Sequence, residues 1–111
     1  MSAFIRQESE IEDDTSGPFP ARLLLTKSIT SNFSVKKGIL KAGNVIKEHK
    51  HDGSEQFEIY LSGKATLYLE GVGDREIGPG SYMYAPKGTA HAITRVIEDL
   101  EIINIFVPPL T

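Results

Sequence analysis

From Leu23 onward, apolar and polar residues come in short bursts, and no stretch beyond Pro20 keeps a helical interval over ten residues. Runs rich in Val, Ile, Leu, Tyr and Phe are cut every few residues by Gly, Pro, Asn or Asp. The runs predict strands over Leu23–Ile29, Phe33–Leu40, Asn44–His51, Gln56–Leu61, Lys64–Glu70, Ser81–Ala85, Ala90–Arg95 and Glu101–Val107. Between them lie Thr30-Ser31-Asn32, Ala42-Gly43, Asp52-Gly53-Ser54, Ser62-Gly63, Gly71-Val72-Gly73-Asp74 and Gly78-Pro79-Gly80. Strands this short, with turns this frequent, predict an all-β sandwich or barrel. Gly78-Pro79-Gly80 and Pro86-Lys87-Gly88 carry turn chemistry, because proline presets φ and glycine accepts positive φ. Pro108-Pro109 withdraws two ladder donors and should end the last strand.

Arg6 to Pro20 reads differently. It is polar and acidic and finishes in Ser16-Gly17-Pro18-Phe19-Pro20, which opposes any regular element. We expect a solvated arm over residues 1–22 and one barrel over residues 23–111; a short helix followed by a loop is the alternative for the arm.

The length of 111 residues suits one domain and leaves no room for a second core. A net charge of −3 with no basic stripe disfavours nucleic acid as a partner. There is no cysteine, so any metal must be held by imidazole, carboxylate, amide or water. No apolar run approaches the roughly 20 residues that span a bilayer. The first residues lack a signal-peptide pattern, so a cytoplasmic protein with no membrane partner is expected.

The three histidines carry the sharpest chemical signal. His49 and His51 sit two apart in a predicted strand and therefore share a face. His91 opens another predicted strand. Neutral imidazole is the commonest metal ligand and suits zinc, iron, copper and nickel. A His-x-His pair alone is also common on solvated strands.

The surroundings sharpen this reading. Around the pair the chain runs Gly43–x5–His49–x–His51–x4–Gln56–x6–Gly63, and around the third histidine Gly80–x5–Pro86–x–Gly88–x2–His91. Together these resemble the two motif blocks of the cupin superfamily in its small single-barrel form. The resemblance spans Gly43 to Arg95 and implies an RmlC-like jelly-roll β-barrel holding one divalent ion: zinc, iron, nickel or manganese. Two positions depart from the pattern. Gln56 stands where glutamate is usual, and Arg95 where asparagine is usual. The set His49, His51, Gln56 and His91 resembles that of small cupins among uronate-sugar processing factors, cyclases and lyases. Glu55 is the rival fourth ligand under the family's looser spacing. An amide ligand brings no charge, so the ion's charge stays uncompensated and an anionic substrate is favoured.

Strand alternation puts Glu58 and Tyr60 on the face of Gln56, with Phe57, Ile59 and Leu61 opposite. Glu58 is then either a partly desolvated acid or base inside the barrel, or a solvated residue outside it. By the same rule Arg95 shares a face with His91 and Ile93; it either clamps a substrate carboxylate or ends the strand in solvent. Lys47 is in phase with the His pair, and Tyr82 and Tyr84 either border the pocket or pack. Ile102, Ile103, Ile105, Phe106 and Val107 read as a strand buried on both faces, which hints that the outer face meets a partner; the resemblance to small cupins implies that this partner makes a homodimer. Three functional classes follow. One is a Lewis-acid enzyme of lyase, isomerase or cyclase type, with Glu58, Tyr60 and Arg95 as catalytic candidates. The second is an iron-dependent dioxygenase. The third is a non-catalytic small-molecule or sugar binder; the want of a second domain counts against a transcription factor. Serine or cysteine nucleophile chemistry and a dinucleotide fingerprint find no support.

Overall fold

The computed structural model describes residues 3–111. A 3-10 turn, Glu8–Glu10, precedes β1 (Ala21–Leu25), β2 (Ser34–Leu40), β3 (Ile46–His49), β4 (Glu55–Leu69), β5 (Gly73–Ile77), β6 (Tyr82–Ala85) and β7 (His91–Val107). All strand pairs are antiparallel. β4 and β7 pair with each other from Glu55↔Val107 to Leu69↔His91. Their register slips repeatedly between Tyr60 and Ala65, and such bulges bend strands. On one side of the bend the pair carries β6 at one edge and β2, then β1, at the other. On the other side it carries β5 and β3. Tyr60, Met83 and Ile102 from the first half meet Ile46, Leu67 and Ile93 from the second in one buried cluster. This is the expected jelly-roll barrel.

Several elements depart from the sequence expectation. Two pairs of predicted strands are each one continuous strand, β4 and β7, because Ser62-Gly63 forms a bulge in the ladder and does not break it. β5 begins at Gly73, within a segment expected only as a turn. The first strand ends at Leu25; Thr26 to Thr30 turn back through Ile29 and Thr30 N–H bonds to the Thr26 carbonyl. The expected boundary between arm and barrel falls inside β1. The arm itself is fastened: Asp14 and Ala21 exchange backbone hydrogen bonds of 2.6 and 3.1 Å. Glu8 accepts from Lys37 Nζ at 2.8 Å and from Arg22 Nη1 at 3.1 Å. Phe19 packs against the core over Gly38, where a Cβ would overlap its ring.

Inward residues of β4 alternate with an outer row in which Phe57 and Ile59 are half-buried and Leu61 is exposed. Phe57 stacks on the exposed Tyr82 with ring centroids 5.6 Å apart. Ile103 and Ile105 are the register partners of Ile59 and Phe57, so this outer face is broadly apolar. No helix among the described residues is long and apolar enough to cross a membrane.

Gly63 explains why its position carries a motif glycine. Its φ is +96°, and a Cβ there would run into the Asp99 carbonyl of β7. Gly63→Ala should therefore strain the bulge and lower stability by about 2–4 kcal/mol, measured by urea denaturation; an unchanged midpoint would contradict this account of the bend.

Candidate metal centre

His49 ends β3 and His91 opens β7, and the two are direct register partners. Strand pairing thus brings together residues far apart in the chain. Their ring centroids lie 4.4 Å apart. His51 follows β3, with its ring 5.1 Å from that of His49 and 5.7 Å from that of His91. The turn at Pro86-Lys87-Gly88 holds this loop in place, because the Gly88 N–H donates to the His51 carbonyl at 2.9 Å. One coordinating atom from each ring lies within 4.8 Å of the others. The three histidines could therefore hold a metal ion.

Hydrogen bonding aims two of the rings. His49 Nδ1 lies 2.7 Å from the Lys47 carbonyl, and His91 Nδ1 lies 3.0 Å from the Thr89 carbonyl. A carbonyl can only accept, so each Nδ1 carries a proton; in the neutral ring Nε2 then keeps its lone pair, which is the form a metal requires. His91 Nε2 is buried with no hydrogen-bond partner among the described residues. Burial pushes the His91 pKa down to about 4, opposed by the Thr89 bond and aided by His49 and His51. Burial also lowers His51, with His49 and Lys36 adding to the shift. Both rings are thereby biased towards the neutral form.

Gln56 is buried in the same cavity. Its Nε2 donates to Glu58 Oε2 and to Asn104 Oδ1, each at 2.8 Å. Those two acceptors fix the amide's orientation, and its Oε1 is left buried without a partner. Glu58 is also inside, and its Oε1 accepts from the Tyr60 hydroxyl. Burial raises the Glu58 pKa to about 7, against the lowering effect of the Tyr60 bond and of Lys36. Tyr60 is raised as well, by burial first and then by Glu58.

A cavity of about 500 Å³ opens onto these groups. Apolar side chains that include Ile93, Ile102 and Phe106 form much of its wall, with Pro18 and Phe19 from the arm. Not every sequence candidate reaches it. Glu55 faces outward and accepts from the Tyr84 hydroxyl at 2.6 Å, which takes it out of reach as a ligand. Arg95 does not share the face of His91 and Ile93. A register slip opposite Thr66 and Leu67 breaks the alternation, leaving Arg95 exposed and Val96 buried. Tyr60 is fully buried behind Glu58 and touches the cavity only through it. Tyr82 and Tyr84 lie on the outer face, away from the cavity lining. Lys47 lines the cavity at an exposed position.

Sequence reasoning missed Lys36, Asn104 and Phe19. Asn104 had a visible signal, as the one polar residue inside the Ile102–Val107 run. Lys36 had a weaker one, being in phase with Ser34, Gly38 and Leu40, which are all buried.

The comparisons with known proteins agree with this fold. A family profile described as the cupin domain matches residues 38–106. The chain belongs to the cupin family. An uncharacterised protein of Streptomyces coelicolor is 32% identical over 78 residues, covering 70% of this chain and 72% of that protein. Among solved structures, an ectoine synthase from P. lautus matches 98% of this chain and 80% of its own, with TM-score 0.87 and 20% identity. KdgF from Halomonas sp. matches 96% of this chain and 94% of its own, with TM-score 0.81 and 24% identity.

The Glu58 shift has a consequence for the metal-free protein. A carboxyl whose folded pKa lies above its unfolded value stabilises the fold below the unfolded pKa, and that contribution is lost as pH rises through the folded one. In chelator, stability should fall between pH 4.5 and about 7, by a few kcal/mol at most. Glu58→Gln should flatten this slope in urea titrations; an equal slope in both proteins would place its origin elsewhere.

Proposed function

We propose that this chain is a metal-dependent cupin that acts on a small oxygenated anion, by lyase, isomerase or cyclase chemistry. The observation that carries the proposal is the pair of buried, partnerless atoms, His91 Nε2 and Gln56 Oε1, beside two further imidazoles. Leaving two such atoms unmade is costly unless something absent from the chain satisfies both. A divalent ion held by His49, His51, His91 and Gln56 would do so, and would supply a Lewis acid for a substrate oxygen. Zinc, iron and nickel suit the three imidazoles, and manganese, which favours oxygen ligands, would draw on the Gln56 oxygen and water. None of the four ligands is anionic, which favours an anionic substrate. Glu58 is the group suited to carry a proton. It lines the cavity, and Tyr60 and Gln56 hold its two oxygens in place. The likeness to an ectoine synthase supports small-molecule chemistry in such a barrel. The apolar outer face around Phe57, Ile59, Ile103 and Tyr82 supports a second copy of the chain as partner.

Protein purified without chelator should contain one equivalent of divalent metal by elemental analysis. His51→Ala or His91→Ala should lower affinity by 100-fold or more, on the order of the loss of one ligand. Gln56→Glu should keep or tighten binding, and Glu55→Ala should leave it unchanged. Loss of metal in Glu55→Ala with none in Gln56→Ala would sink the ligand assignment. Light scattering should give the mass of a dimer; a monomer at micromolar concentration would refute the second-copy reading.

A further inference from the structure

Lys36 projects from β2 into the cavity and is partly buried there. Among the described residues it makes no ion pair and no side-chain hydrogen bond, whereas Lys37, Lys41, Lys50 and Lys64 each pair with a carboxylate. The remaining lysines, Lys27, Lys47 and Lys87, are exposed and solvated. Lys36 is thus the one partly buried lysine with no carboxylate in contact, Glu58 and Asp14 acting on it only at longer range. Its neighbours explain why the protein does not supply one. Lys36 is the register partner of Asn104, and Asn104 in turn of Glu58, so the three form a row across β2, β7 and β4. Asn104 stands between the charges, and both Glu58 oxygens already accept from Gln56 and Tyr60. The rings of Phe19 and Phe106 flank the ammonium, at 5.9 and 5.5 Å from their centroids. Such contacts attract a cation and leave its hydrogen-bond donors unused. A half-buried ammonium that faces a cavity, with no protein acceptor for its donors, is a ready contact for an anionic group entering that cavity.

We propose that Lys36 is the anion-holding residue of this cavity, and that the ligand is a short molecule with two acidic ends, one towards the histidine cluster and one on Lys36. The Phe106 ring lies 5.5 Å from Lys36 Nζ and 5.3 Å from the His51 ring, and with Ile93 and Ile102 in the same wall it suits an aliphatic chain. This inference rests on the metal reading above and adds the second anchor.

The test uses cobalt(II)-loaded protein, whose visible spectrum reports ligand arrival. Dicarboxylates from malonate to adipate are titrated, each beside its monomethyl ester. At one chain length the diacid should bind the wild type roughly tenfold or more tightly than its ester, as a charge-assisted hydrogen bond implies. Lys36→Met should bind cobalt as the wild type does, yet lose that preference, and Lys36→Arg should retain it. Lys36→Gln serves in its place if the methionine variant takes up no cobalt. A preference that survives in the neutral variants, or no preference at any length in the wild type, overturns the inference. Failure of the wild type to take up cobalt, visible before any acid is added, overturns the metal reading and this inference with it.

Discussion

The antiparallel ladder between β4 and β7 is the constraint from which the other features follow. Each strand is long enough to belong to both faces of the barrel, and the slips in their register turn one long ribbon into two opposed surfaces. One surface presents Gln56, Glu58 and Asn104; the other begins with His91, to which β3 adds His49. Backbone pairing is sensitive to register, because a one-residue slip would reverse every side chain. His49, His91 and Gln56 are therefore placed by main-chain pairing distributed over the fold, and only His51 depends on a loop, which the Gly88 N–H holds.

Inside that frame the polar groups form an ordered chain. Tyr60 donates to Glu58, Gln56 donates to Glu58 and to Asn104, and Gln56 turns its oxygen away from all of them. In a low-dielectric interior such a network is rigid when its members are satisfied, and each partner limits the orientations open to the next. The imidazoles follow the same logic, with the Lys47 and Thr89 carbonyls fixing which ring nitrogen faces inward. Of the three buried side-chain atoms left without a partner among the described residues, His91 Nε2 and Gln56 Oε1 belong to residues that line this cavity, and the third, Thr111 Oγ1, belongs to the C-terminal residue outside it.

Much of the barrel was legible in the sequence because turn chemistry is local. Proline and glycine mark the turns, and the motif spacing singles out the three histidines as candidates, with Gln56 favoured over Glu55; the fold brings the histidines and Gln56 to one cavity. The alternation of β4 could be read, yet which of its faces turned inward could not, since both carry large side chains. Here the tertiary context decided, placing Glu58 inside and Phe57 and Ile59 outside. Arg95 misled because alternation holds only while the ladder is regular, and a slip opposite Thr66 and Leu67 interrupts it. β5 escaped notice because its residues, Gly73 to Ile77, are mostly polar and exposed. Phe19 was hidden by its company: flanked by prolines in an acidic arm, it gave no sign that Gly38, on a distant strand, leaves a gap for its ring.

That ring has a further consequence. Part of the cavity wall is built by a segment that precedes the barrel and takes no part in the principal ladder. The histidine cluster and this part of the cavity wall thus lie in separate stretches of chain. Changes in a few residues before Ala21 would reshape the cavity and leave the histidine cluster as it is.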